Sequence, residues 1–510
     1  MKNHTMIPGA VRVGPLALAL GLAGASVLAA TPTVLPGRPE EIAFRPLSFE
    51  PPRAAEHRRT LSNGVPVYIL PSSEFPLVQV VFSFKGGRYL EPGDKAGLAD
   101  MTGAMLRRGG TQSMGASALD EQLDFLAAQV STNFGATAGT ATLNSLKSNF
   151  DEAFGLFMDI LRKPAFEPEK VDLYRKEVLE GMKQRNDDRS SIFQQQVRRM
   201  VWGPDHFEGR EPTKQAIDSI TIDDMRAFHQ RVVHPGNLII GVTGDVTEAE
   251  IMSRLEAAMS GWDKGQPVPK ETDTGVAMKP GVFYVEKDVP QGQVFIGHRG
   301  IRRDDPDAIP VMVMNDILGG AGFTARLIKR IRDDEGLSYG VNSSFQQRVE
   351  YPGVFATGFT SKSRTVALAT KIALQEIEKM RSAPVSQEEL DVSKKSFIDT
   401  FPRTFESKAG TLNVFITDEW TNRPKDYWQT YRQKVESVTV QDVQNAAAKH
   451  LRPENFAIMV VGKWEDIAPG DPTEQRPDYK AQMSDFGTPV KMPLLDPMTL
   501  QPLPDAPRKD

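Results

Sequence analysis

The chain has 510 residues, 40% apolar and 25% charged, with a formal net charge of -5 and no cysteine. That length exceeds one ordinary core and predicts two or more domains, and the composition is that of a soluble globular protein. Lack of a basic excess excludes a general affinity for nucleic acid, and lack of a thiol excludes disulfides, thiolate metal ligands, a nucleophilic cysteine and a lipidated cysteine anchor.

Residues 1–30 carry Lys2 and Arg12 and then the uncharged run GPLALALGLAGASVLAA, which ends in small residues. This is the pattern of a secretory signal peptide cleaved near Ala29 or Ala30. The other reading is a single membrane-spanning anchor, against which Pro15 and the interrupting glycines count. A periplasmic or secreted protein with no membrane span after cleavage is expected. Residues 31–55 read as an N-terminal extension.

A first half is expected over 56–263. RRTLSNGVPVYIL reads as a strand pair around an Asn-Gly turn, LVQVVFSFKGG as a strand, and NFGATAGTATLNSLK as one alternating strand, with helices between. The charged, proline-containing stretch 264–281 is the natural linker. In a second half over 282–468, VFYVEKDVPQGQVFIGHRG supplies strands and AIPVMVMNDILGG a helix. Residues 469–510 turn proline-rich and polar, the composition of an irregular tail or of a strap across a partner.

The two halves are related. SITIDDMRAFHQRVVHPGNLIIGVTGDV, from Ser219, aligns without a gap to SVTVQDVQNAAAKHLRPENFAIMVVGKW, from Ser437. Each has a Ser-x-Thr cap, an amphipathic helix broken by proline and asparagine, and a β-branched run ending at Gly244 or Gly462. The expected fold is α+β, with two homologous halves that each pack a mostly antiparallel sheet with helices and face each other as a clamshell.

Candidate chemistry is sparse. The histidines are His4, His57, His206, His229, His234, His298 and His450, and no two lie three or four residues apart, so the usual helical zinc pair is missing. His229 and His234 would point about 140° apart on a helix and read better as solvated or capping residues. DHFE at 205–208 reads as a polar turn after Gly203 and Pro204. There is no G-x-S-x-G elbow. GGAGFTARL resembles a phosphate-cradling loop without its lysine and hydroxyl; Gly319, Gly320 and Gly322 read as a flexible turn at a helix start, whose free amides could receive a peptide carbonyl or carboxylate.

GLADMTGAMLRRGGT, residues 97–111, is similar to the insulinase and pitrilysin-type zinc peptidase segment in which a helix carries H-x-x-E-H. In that family two imidazoles bind zinc and the glutamate activates its water. The matching residues here are Asp100, Gly103 and Ala104. The family's third ligand, a downstream glutamate, falls at Tyr174, one turn before Glu177. The resemblance therefore implies no cofactor in this chain. ARLIKRIRDDEGLSYGVNSSF is similar to the family's intact substrate-binding stretch, which assigns transition-state stabilisation to Arg332 and Tyr339. A zinc-free subunit is implied, lending these two donors to a zinc-bearing homologue that hydrolyses peptides as a heterodimer. The rival readings are a structural or peptide-binding homologue without peptidase activity, and an autonomous enzyme using Asp100 and Glu177 as a carboxylate pair.

Overall fold

The computed structural model describes residue 38 and residues 48–272 and 277–504. The segment 1–30 read as a signal peptide, most of the extension and part of the linker lie outside the described residues. Six strands build the first sheet: β1 (Arg58–Thr60), β2 (Pro66–Pro71), β3 (Leu77–Lys85), β4 (Gln129–Phe134), β5 (Ala138–Leu146) and β6 (Leu238–Gly244). The Asn-Gly turn joins β1 to β2 as expected: Gly64 sits at φ 93°, and the Asn63 side chain accepts from the Val65 amide at 3.1 Å. The stretch expected as one alternating strand is a hairpin instead. The chain reverses between Phe134 and Ala138, where the Gly135 amide donates to the Ala138 carbonyl, so both arms keep the period-two pattern that made them read as one strand.

The later strands are β7 (Gly281–Glu286), β8 (Gln291–Arg299), β9 (Ile301–Arg302), β10 (Val341–Phe345), β11 (Gln347–Arg348), β12 (Val354–Lys362), β13 (Ala457–Gly462) and β14 (Pro489–Lys491). The first sheet runs β1-β2-β6-β3-β5-β4 and the second β10-β12-β8-β13-β7-β14, with β9 and β11 as a separate pair. Read from opposite ends, five strands correspond one to one, including the parallel pairs β2 with β6 and β7 with β13. The duplication read from sequence is therefore a duplication of topology. Its two shared segments begin with the same device, a capping box of Thr221 with Asp224 and of Thr439 with Asp442, and enter matching helices.

Helix α1 (Leu98–Arg108), α2 (Pro168–Lys183), α3 (Arg189–Trp202) and α4 (Ile222–Val232) belong to the first half, and α5 (Lys408–Trp420) and α6 (Val440–His450) to the second. Two of them are exchanged. Helix α3 lies on β8 and β13 of the second sheet, where Ile192, Val201 and Trp202 join Val285, Phe295 and Met459 in one buried cluster. Helix α5 lies on β2 and β6 of the first sheet, packing Leu412, Phe415 and Ile416 against Tyr68, Leu70 and Ile239. Each sheet is thus covered on both faces, which is why β6 and β13 are nearly continuous apolar runs rather than alternating ones. The described residues from Phe49 onward accordingly form one compact unit.

The proline-rich segment after 468 straps the lobes of its own chain. Strand β14 adds to the edge of the second sheet beside β7, and the chain then crosses to the first half. There Asn186 donates to the Leu495 carbonyl at 2.7 Å, Arg185 to that of Pro497 at 2.8 Å, and the Lys214 amide to that of Met498 at 2.7 Å. Among the described residues, no helix is long and apolar enough to cross a membrane.

Candidate functional site

Helix α1 starts without a Ser, Thr, Asp or Asn cap. Its first residue follows Gly97 at φ 100°, and the carboxylate of Glu91 replaces the cap by accepting from the amides of Gly97 at 3.2 Å and Ala99 at 2.8 Å. Burial pushes the Glu91 carboxyl up to about 7, although these amides and Arg210, at 3.4 Å, hold the charged form. Helix α1 and strand β4 are then in direct contact.

Asp100 is exposed on this helix, and its carboxyl lies above its ordinary range because the surrounding protein costs the charge solvation, an effect that Arg88 partly reverses. Gly103 is buried against β4. A Cβ there would come within 2.9 Å of the Phe134 amide nitrogen and 3.0 Å of the Asn133 Cα, both backbone atoms. Ala104 is half-buried against the first core. Tyr174 on α2 does meet this helix: the Arg108 guanidinium lies 5.0 Å from its ring centre, and Asp100 is close enough to raise its phenol further above a value already lifted by burial. Arg108 also forks the Glu177 carboxylate at 2.9 Å to each oxygen, which lowers the Glu177 pKa. A guanidinium is therefore the cation that these two helices share. The residues do not fit a zinc ion, since Gly103 and Ala104 bring no donor and Glu177 is committed to Arg108.

The donor segment of the second half has an unusual backbone. The helix Ala308–Asn315 loosens into a π-helical turn at Asp316–Gly320, and a second π-helical turn spans Lys329–Asp334. Such turns widen the helix and are frequent at functional sites. The second one carries Arg332, whose guanidinium lies 4.7 Å from the ring centre of Phe323 and 5.4 Å from that of Tyr339. Tyr339 is 91% exposed and Phe323 71%. Tyr339 also lines a groove of about 530 Å³ along β8, β10 and β12, whose lining includes Phe193 of the exchanged helix α3. Arg332 and Tyr339 are thus brought together by the fold; Phe323 completes the group and carries no sequence signal of its own.

The glycine turn divides. Gly319 is buried, and a Cβ there would meet Ser343 at 2.5 Å, so this glycine serves close packing onto β10 rather than flexibility. Gly320 and Gly322 are exposed, and Gly322 sits at φ 60°. Of the two readings of His229 and His234, the solvated one needs correction, while the capping one suits His234, which bonds a carbonyl in the last turn of α4. His229 is buried and bonds the Leu161 carbonyl at 2.7 Å, and His234 is buried against the Arg231 carbonyl at 3.1 Å, so neither is solvated. In DHFE, His206 is 1% exposed and stacked on Trp202 and Phe207. Asp305, Asp307 and His450 come within ligand distance of one another, but Lys449 already holds Asp307 at 2.6 Å.

Residues 219–397 match a family model described as the peptidase M16 inactive domain. A Helicobacter pylori protein named non-peptidase homolog YmxG is 24% identical over 80% of this chain and 94% of its own length. An uncharacterized zinc protease of Mycobacterium tuberculosis is 24% identical over 62% of this chain and 73% of its own. Among solved structures, a peptidase M16 inactive domain from Pseudomonas fluorescens superposes with a TM-score of 0.71 at 24% identity, over 79% of this chain and 97% of that one. The periplasmic protease PqqL of Escherichia coli superposes with a TM-score of 0.64 at 17% identity, over 84% of this chain and 48% of that one.

Proposed function

We propose that this chain, whose residues 219–397 match the peptidase M16 inactive domain, is an exported, zinc-free member of the insulinase and pitrilysin type working with a zinc-bearing homologue. In this reading the partner's metal holds the peptide, and Arg332 and Tyr339 reach across to donate hydrogen bonds to the negative oxygen that develops on the attacked carbonyl. Both are suited to that task, since a guanidinium donates only and a phenol donates without displacing a metal ligand. The observation that carries the reading is an imbalance within one chain. Tyr339 stands 91% exposed with Arg332 beside it, while the helix they would serve at home has Gly103 wedged against backbone.

Mixing the purified chain with a zinc-bearing homologue from the same source tests it. Cleavage of an unstructured peptide should need both chains, and R332A or Y339F should lower the turnover number about a hundred- to a thousandfold. Undiminished turnover with both substitutions together rejects the assignment. A peptide-binding homologue with no peptidase activity in any mixture is the second reading, and the name of the Helicobacter relative favours it.

A further inference from the structure

A second site lies one turn ahead of the glycine turn. Asp316 is 9% exposed, and one of its carboxylate oxygens accepts from the Ser393 hydroxyl at 2.6 Å. Among the described residues no lysine, arginine or histidine pairs with it, and burial holds its carboxyl above the usual range with only that hydroxyl acting against the rise. The carboxylate lines a cavity of about 420 Å³ whose walls include Met312, Phe345 and Phe397. The other polar side chains there are already engaged: the Asn315 amide donates to the Ser343 carbonyl at 3.3 Å, and the Gln347 amide to that of Ala308 at 2.8 Å. An ionised acid without a counter-charge, in a cavity walled by a thioether and two aromatic rings, is costly, and a bound cation relieves that cost as a proton does.

We propose that this cavity binds an organic cation, the ammonium of a lysine or guanidinium of an arginine side chain in a peptide, with Asp316 as its counter-charge. The aromatic rings of Phe345 and Phe397 in the cavity wall are groups that can attract a cation, and Met312 is a pliable surface for its aliphatic stem. The π-helical turn at Asp316–Gly320 contributes by placing the carboxylate at the point where the helix widens. The site belongs to this chain alone, so it stands whether or not a partner cleaves the peptide.

Binding of a fluorescently labelled peptide to the full-length purified chain tests the proposal, using two versions that differ only by lysine or norleucine at one position. The lysine version should bind at least about tenfold more tightly, the scale of one charge-assisted hydrogen bond. D316N should bring it down to the norleucine level while the unfolding midpoint stays or rises, since the variant removes an unpaired buried charge. F397L should weaken the lysine version with less effect on the other. Equal binding of the two peptides by the wild-type chain, or an unchanged preference in folded D316N, overturns the proposal. Cadaverine run as a competitor separates the sources of the cation: displacement at an affinity equal to that of the peptide would assign the site to free diamines and overturn the peptide assignment.

Discussion

The Thr132 hydroxyl donates to the carbonyl of Gly103 at 2.6 Å, tying strand β4 directly onto the middle of α1. The contact leaves no room for a side chain, because a Cβ on Gly103 lies within 3.1 Å of three backbone atoms of Asn133 and Phe134. In an exposed helix interior, glycine to alanine stabilises by about 1 kcal/mol. Here the sign should reverse, with G103A less stable by about 1–3 kcal/mol in urea unfolding, as overpacked cores are. For the same reason, restoring the family motif as D100H, G103E and A104H should not create a tight zinc site, and metal analysis after dialysis checks this. A stoichiometric zinc ion held by that triple variant would show that β4 yields easily.

Glu91 gives the fold a pH dependence with a definite sign. Its carboxyl is raised from an ordinary 4.5 to about 7 in the folded state. The folded chain therefore keeps a proton that the unfolded chain releases, and the resulting stabilisation is complete below pH 4.5 and fades as pH rises through 7. At about 1.4 kcal/mol per pKa unit the effect is of order 3 kcal/mol. E91Q keeps an acceptor for the Gly97 and Ala99 amides while removing the titration. The stability of wild type relative to E91Q should fall as the pH is taken from 4.5 to 7 and level off above that, and a difference that stays flat over this range would contradict the burial argument.

The internal repeat was legible because its signals are local: a threonine three residues before an aspartate, a helix period, and an apolar run ended by glycine. Arg332 and Tyr339 were legible as a motif, and the fold does place them side by side. What escaped depends on contacts between distant segments. The reversal at Gly135 hides inside a continuous alternation, and the burial of His229 and His234 is set by the Leu161 carbonyl and by packing that no spacing announces. Asp316 carries no signal in the sequence, because its one side-chain hydrogen bond comes from Ser393, 77 positions away, and its burial is set by the fold.

Arg108 and Glu177 make a bidentate pair, yet both are exposed, so its worth for stability is small. E177Q should leave the urea-unfolding midpoint close to that of the wild-type chain. It should also leave peptide cleavage in the two-chain mixture unchanged. Loss of activity in E177Q, or hydrolysis by this chain alone in the presence of a chelator, would instead support a carboxylate pair of Asp100 with Glu177.

The exchange of α3 and α5 between the lobes predicts that neither half folds by itself. Cutting within 264–281 would leave a fragment ending near residue 263 with Tyr68, Leu70 and Ile239 uncovered, since the residues that bury them, Leu412, Phe415 and Ile416, lie in the other piece. The second fragment would expose Val285, Phe295 and Met459, which α3 covers in the intact chain. Exposed apolar surface of that extent drives association, so each fragment expressed alone should aggregate or bind a hydrophobic dye, whereas co-expression should recover a soluble pair. A single residue can probe the same coupling. Phe415 is 1% exposed on the first sheet although it belongs to the second half, and F415A should cost about 3–5 kcal/mol. That loss should appear in one cooperative transition that unfolds both lobes. Two separate transitions, with only one shifted by F415A, would mean that the exchanged helices do not bind the halves into a single folding unit.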